Sequence, residues 1–235
     1  MPNISTVISQ REWYLADPNP KDSNPDLDDC WVVMALQAVW YSTPWKNIPS
    51  VRTFRTWAGD PDDGNRDGGN SPEIIKGVTT GYPEYKGKLT KIDGASWDSF
   101  LVTLSVGGPV VIALMLGDLP QDLKFTTGNV AHECMVVMIG GKYYFANPLA
   151  KMPHRFSVIK ITDIKKAVLS YGGGRVYGVA FPTEAQMLPT HPAYKSTLDS
   201  ATAAAIKTAR EQGYTEGFNT AKSAAITAVD GIKQV

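Results

Sequence analysis

Hydrophobic positions follow two different spacings along this chain, and the change falls near Gly107-Gly108-Pro109. Upstream, residues 30–40 form a run in which only Gln37 is polar, a pattern that predicts a helix buried on every side. We expect that helix over 29–41, with Asp28 or Asp29 as N-cap and Thr43-Pro44 ending it. Ser71-Pro72-Glu73 reads as N-cap, N1 and N2 of a short helix carrying Ile74, Ile75 and Val78. Trp97, Phe100, Leu101 and Leu104 fall at i, i+3, i+4 and i+7, the stripe of a helix lying on a core. Downstream the spacing shortens to that of strands, over 109–116, 133–139, 142–147, 155–161 and 175–181. Gly140-Gly141 between two of them predicts a tight hairpin, and Thr162-Asp163 can cap a short helix over 164–170. Helices first and an antiparallel sheet after them define an α+β fold with a buried N-terminal helix packed on the sheet.

After Phe181-Pro182 the pattern changes again. Residues 187–196 read as a proline-containing linker, and 197–235 as an Ala-rich helical extension, leaving 1–186 as the main domain. In the extension Tyr214, Phe218, Ala221 and Ala225 make one stripe with Gly213 and Gly217 beside it. Each glycine costs a helix about 1 kcal/mol relative to alanine, which favours close packing on another helix, so docking to a protein partner or self-association is expected. An exposed, frayed tail is the alternative.

Composition narrows the classes. The 235 residues are 43% hydrophobic, enough for a sizeable core, and carry a net charge of zero, which argues against a nucleic-acid footprint. No apolar run has the length of a membrane span, and the opening MPNISTVISQREW lacks the basic and apolar regions of a signal peptide. Synthesis in the cytoplasm is therefore expected. Cys30 and Cys134, the two cysteines, read as free thiols rather than a disulfide framework.

Cys30 sits in the first turn of the predicted buried helix, where free N–H groups and the helix dipole favour a thiolate. A cysteine nucleophile also needs a base and a group to orient it. Of three histidines, His191 lies in the linker and His154 in a loop, whereas His132 starts a strand whose hairpin partner ends in Asn147. If that hairpin turns at Gly140-Gly141, facing residues have numbers summing to about 281, so His132 and Asn147 lie about one pair apart on the same face. An Asn carbonyl beside imidazole can fix its tautomer. Cys134 shares the His132 face and reads as core.

Cysteine at the start of a buried helix, then histidine on a strand, then asparagine, resembles the order of papain-like cysteine peptidases. The closer resemblance is to the branch of double-glycine-leader, bacteriocin-processing peptidases and their free-standing relatives in phage proteins. It rests on Gly107-Gly108-Pro109-Val110-Val111, His132-Glu133-Cys134-Met135-Val136 and Asn147-Pro148, within about residues 8–183. That resemblance implies a cofactor-free peptidase or amidase acting on a peptide or peptidoglycan amide, in a phage virion tail or lysis component. Cys30 would be nucleophile, His132 base, Asn147 the orienting residue and Asn24 an oxyanion donor, although the family usually has Gln at that last position. Asp28 and Asp29 oppose a thiolate, and the same fold kept as a non-catalytic binding or structural module is the alternative. Trp31, Trp97 and Tyr143 or Tyr144 are candidate cleft walls. Within 59–70, Asp63-Gly64-Asn65-Arg66-Asp67-Gly68 matches the opening of a calcium loop but has Ile74 at its closing position, so turns are the plainer reading. No Cys/His cluster has zinc spacing, and no metal is expected.

Overall fold

The computed structural model describes residues 29–60, 71–124, 128–149 and 156–191. The chain divides into two compact units, Met1–Glu184 and Ala185–Val235, and the first holds the features below. Asp28, Asn24, His154, the calcium-like stretch 61–70 and the Ala-rich extension lie outside the described residues.

Helix α1 (Cys30–Ser42) is as apolar in place as in sequence, with every residue from Cys30 to Val39 buried. Its N-cap is Asp29, but the carboxylate caps nothing; it accepts from Arg55 Nε at 2.7 Å, and Arg55 Nη1 reaches Asp60 at 3.2 Å. Arg55 belongs to α2 (Val51–Ala58), a helix not among those expected from the sequence although its ends are marked: Ser50 accepts from Thr53 N, and Gly59 closes it at φ 77°. Helix α3 (Ser71–Gly81) begins at the predicted Ser71, whose hydroxyl donates to Asp93 Oδ1 at 2.6 Å. Edge-to-face rings run from Trp31 through Phe54, Trp57, Tyr82 and Tyr85 to Phe181. At the other end of α1, Ser42 Oγ donates to Pro182 O at 2.7 Å and Thr43 Oγ1 bonds Tyr85 Oη at 2.9 Å. The helix is thus tied at both ends as well as packed along its length.

Helix α4 (Trp97–Ser105) carries the expected stripe, with Phe100 and Leu104 fully buried and Ser96 capping through Ser99 N. The strands are β1 (Thr90–Lys91), β2 (Val110–Met115), β3 (Ala131–Ile139), β4 (Lys142–Ala146), β5 (Phe156–Ile159) and β6 (Gly178–Ala180). They form one sheet in the order β1-β6-β2-β3-β4-β5, antiparallel at every pairing. The fold is α+β. Short helix α5 (Gln121–Lys124) follows β2, and α6 (Lys165–Tyr171) covers the sheet where a capped helix was expected.

Alternation along β3 separates two faces. Cys134 and Val136 join Ile112 and Leu114 of β2, Phe145 of β4, Phe100 and Leu104 of α4, and Ala167 and Val168 of α6 in one apolar core. Glu133, Met135 and Val137 point the other way, to the face on which α1 packs. Among the described residues no helix is long and apolar enough to cross a membrane.

Candidate active site

The β3–β4 hairpin has the expected register: Met135 pairs Ala146 and Ile139 pairs Lys142, with Gly140 and Gly141 at φ 55° and 75° in the turn. Positive φ at both central residues is what a two-residue turn matched to strand twist requires. This register brings His132 and Asn147 together. His132 Nε2 and Asn147 Oδ1 are 3.0 Å apart, and both residues are 2% exposed. The amide is oriented independently, because Nδ2 donates to Leu123 O at 3.1 Å and Oδ1 also accepts from Leu149 N at 3.0 Å. An Asn147 oxygen in that position accepts, so His132 Nε2 carries the proton that it donates. Burial lowers its pKa to about 4, and the Asn147 bond offsets only part of that.

The structure joins Cys30 to a different residue. Its thiol is 4% exposed and donates to Glu133 Oε2 at 2.9 Å. Leu114 pairs His132 and Ala113 pairs Glu133 across β2–β3, so neighbouring residues of one strand serve opposite faces: Glu133 meets α1, while His132 sits with Leu123 on the side of the α4–α6 core. Cys30 and His132 are therefore not hydrogen-bonded to each other. Glu133 was quoted in the sequence pattern only as the residue after His132. The missing signal is which face of β3 receives α1, and no local spacing contains it.

Electrostatics follow from burial. Desolvation, and then the Glu133 carboxylate, push the Cys30 thiol well above its usual pKa. Desolvation raises Glu133 to about 7, with the thiol's hydrogen bond pulling the other way and the Glu73 charge adding to the rise. Cys134 is fully buried core, as its pattern implied, and burial raises its thiol as well. Asp29 is spent on Arg55 rather than on the sulfur. The helix start still matters, since the first N–H groups of α1 have no acceptor within the helix, and Cys30 is its first residue.

Beside Glu133 lies a cavity of about 50 Å³ lined by Ser71, Ile74, Asp93, Ala113, Tyr171 and Tyr177 among others. The candidate cleft walls are interior instead: Trp31 is fully buried beneath Arg55, whose guanidinium lies 5.8 Å from its ring, and Trp97 packs on Phe100 with 9% exposure. Tyr143 and Tyr144 are partly buried on β4. Among the described residues no group of three or more His, Cys, Asp or Glu is arranged to hold a metal ion.

No family model matches the chain, and no curated protein matches it. A solved structure from Bacillus anthracis, of a protein proposed to be a C39-like peptidase, is similar at 14% identity and a TM-score of 0.45, over 66% of this chain and 88% of that one.

Proposed function

We propose that the protein is a cysteine peptidase or amidase whose nucleophile is Cys30. The observation that carries this reading is the Cys30–Glu133 contact: a thiol at the first residue of a rigidly packed helix, 2.9 Å from a proton-accepting group. In the reaction the sulfur attacks an amide carbonyl carbon, and the tetrahedral intermediate loses its amine to leave a thioester, which water then opens. The first N–H groups of α1, which have no acceptor within the helix, are suited to the oxyanion. The substrate class, a peptide or peptidoglycan amide met in the setting of a phage particle, comes from the resemblance in chain order and motifs. Asn24 remains a proposed second oxyanion donor on the same ground.

A non-catalytic binding or structural role has its own support: the His132–Asn147 pair is closed on itself and the thiol is almost fully covered. Two measurements separate the readings. A peptide electrophile that mimics the substrate amide should form an adduct on Cys30, and Cys30→Ala should abolish hydrolysis of peptide or peptidoglycan-fragment amides. No adduct on Cys30, together with a Cys30→Ala protein of unchanged behaviour, would favour the binding role.

A further inference from the structure

We infer that Glu133, rather than His132, takes the proton of Cys30 and returns it to the leaving amine. This rests on the reading of Cys30 as nucleophile and assigns the base of that same site. The thiol already donates to Glu133 Oε2 at 2.9 Å, within the reach a general base needs. His132 is held on the opposite face of β3, its Nε2 committed to Asn147 at 3.0 Å. No rotamer change exchanges the two, because the pairing of β3 with β2 fixes which residue points where.

The chemistry balances within the pair. The S–H bond breaks as its proton moves to the Glu133 carboxylate, and the sulfur electron pair forms the C–S bond. When the C–N bond breaks, the same proton leaves on the amine. In the second half Glu133 takes a proton from water as the hydroxyl adds to the thioester carbonyl, and gives it back to the departing sulfur. The roughly 50 Å³ cavity against Glu133 exceeds the space that one ordered water needs, about 10–15 Å³. Ser71, Asp93, Tyr171 and Tyr177 are among the residues that line it.

The groups facing Glu133 set its protonation. They are Cys30 from α1, Glu73 from α3, Tyr171 at the end of α6, and Asp93 and Tyr177 across the cavity. Among the described residues lining that cavity there is no lysine, arginine or histidine. Burial holds the carboxyl up near 7, which makes it half ionised at neutral pH.

The test is the pH profile of Cys30 alkylation by iodoacetamide on the full chain, read by mass spectrometry of the Cys30 peptide. If thiol ionisation is assisted by Glu133, the wild-type rate follows that carboxyl: it rises about tenfold from pH 6 to 8 and levels off. Glu133→Gln should lose the plateau and climb about a hundredfold over the same range, as a plain thiol titrating above pH 8 does. Glu133→Asp, which keeps a carboxyl, should retain a plateau, and circular dichroism confirms that each variant is folded. A wild-type profile without a plateau and superimposable on Glu133→Gln overturns the assignment while leaving Cys30 a nucleophile. A Cys30→Ala protein that hydrolyses amides as the wild type does overturns the nucleophile itself.

Discussion

Two adjacent side chains, His132 and Glu133, carry opposite consequences of burial. His132 is kept neutral and donates to Asn147, whose amide holds three partners at once. Cutting Asn147 back to Ala orphans the imidazole N–H and the Leu149 N–H in a site that is 2% exposed. Each unsatisfied group costs about 1–3 kcal/mol, so Asn147→Ala should lose roughly 2–6 kcal/mol of stability in urea denaturation. A loss below about 1 kcal/mol would mean that the pair is not the closed unit described here. At this scale the sequence was readable for His132 and Asn147, because hairpin parity depends only on Gly140-Gly141 and on counting. It was silent on Glu133 as partner of Cys30, because that contact spans 103 positions and depends on which face of the sheet α1 covers.

Elements read from local pattern survive where the pattern is long and its ends are punctuated. Helix α1 and the Trp97–Leu104 stripe are where the spacing put them. Helix α2 escaped notice although Val51, Phe54, Trp57 and Ala58 recur at helical spacing and Ser50 and Gly59 cap it plainly. β1, two residues long and paired to β6, has no sequence period to find. The motif Gly107-Gly108-Pro109 acquires a physical reason. Gly107 has φ 89°, and a Cβ on Gly108 would lie 2.1 Å from Phe181 O, a backbone atom that cannot step aside. The close approach lets Phe181 N bond Pro109 O at 2.9 Å and leads β2 into the sheet between β6 and β3. Gly108→Ala should therefore cost about 1–3 kcal/mol through overpacking, read as a lower midpoint in denaturant with an unchanged slope. A neutral substitution would show that the Phe181 strand end yields.

For the whole molecule the two buried groups on β3 act on stability in opposite senses. An imidazole with its folded pKa lowered from 6.5 to about 4 binds fewer protons folded than unfolded between those values. Its contribution is complete above pH 6.5 and is lost as pH falls towards 4. A carboxyl raised from 4.5 to about 7 holds its proton more firmly in the folded state. That contribution is complete below pH 4.5 and is lost as pH rises through 7. Each amounts to about 3 kcal/mol at roughly 1.4 kcal/mol per pH unit. Between pH 4.5 and 6.5 the slopes cancel, and wild-type stability should be nearly level there as far as this pair governs it. Glu133→Gln removes one slope, so its stability should rise with pH across that window by up to about 3 kcal/mol. Urea midpoints at four pH values would decide it, and a level profile in the variant would contradict the opposed pair.

The back-to-back placement of His132 and Glu133 also says which kind of change could alter this protein's chemistry. Point substitutions edit one side of the strand at a time. A change in chain length does more: inserting a single residue between Asn129 and Ala131, with β3 sliding one position against β2, would set His132 opposite Ala113, where Glu133 now meets Cys30, and would turn Cys134 and Val136 to that face as well. The route to the other base is a change of register rather than a replacement.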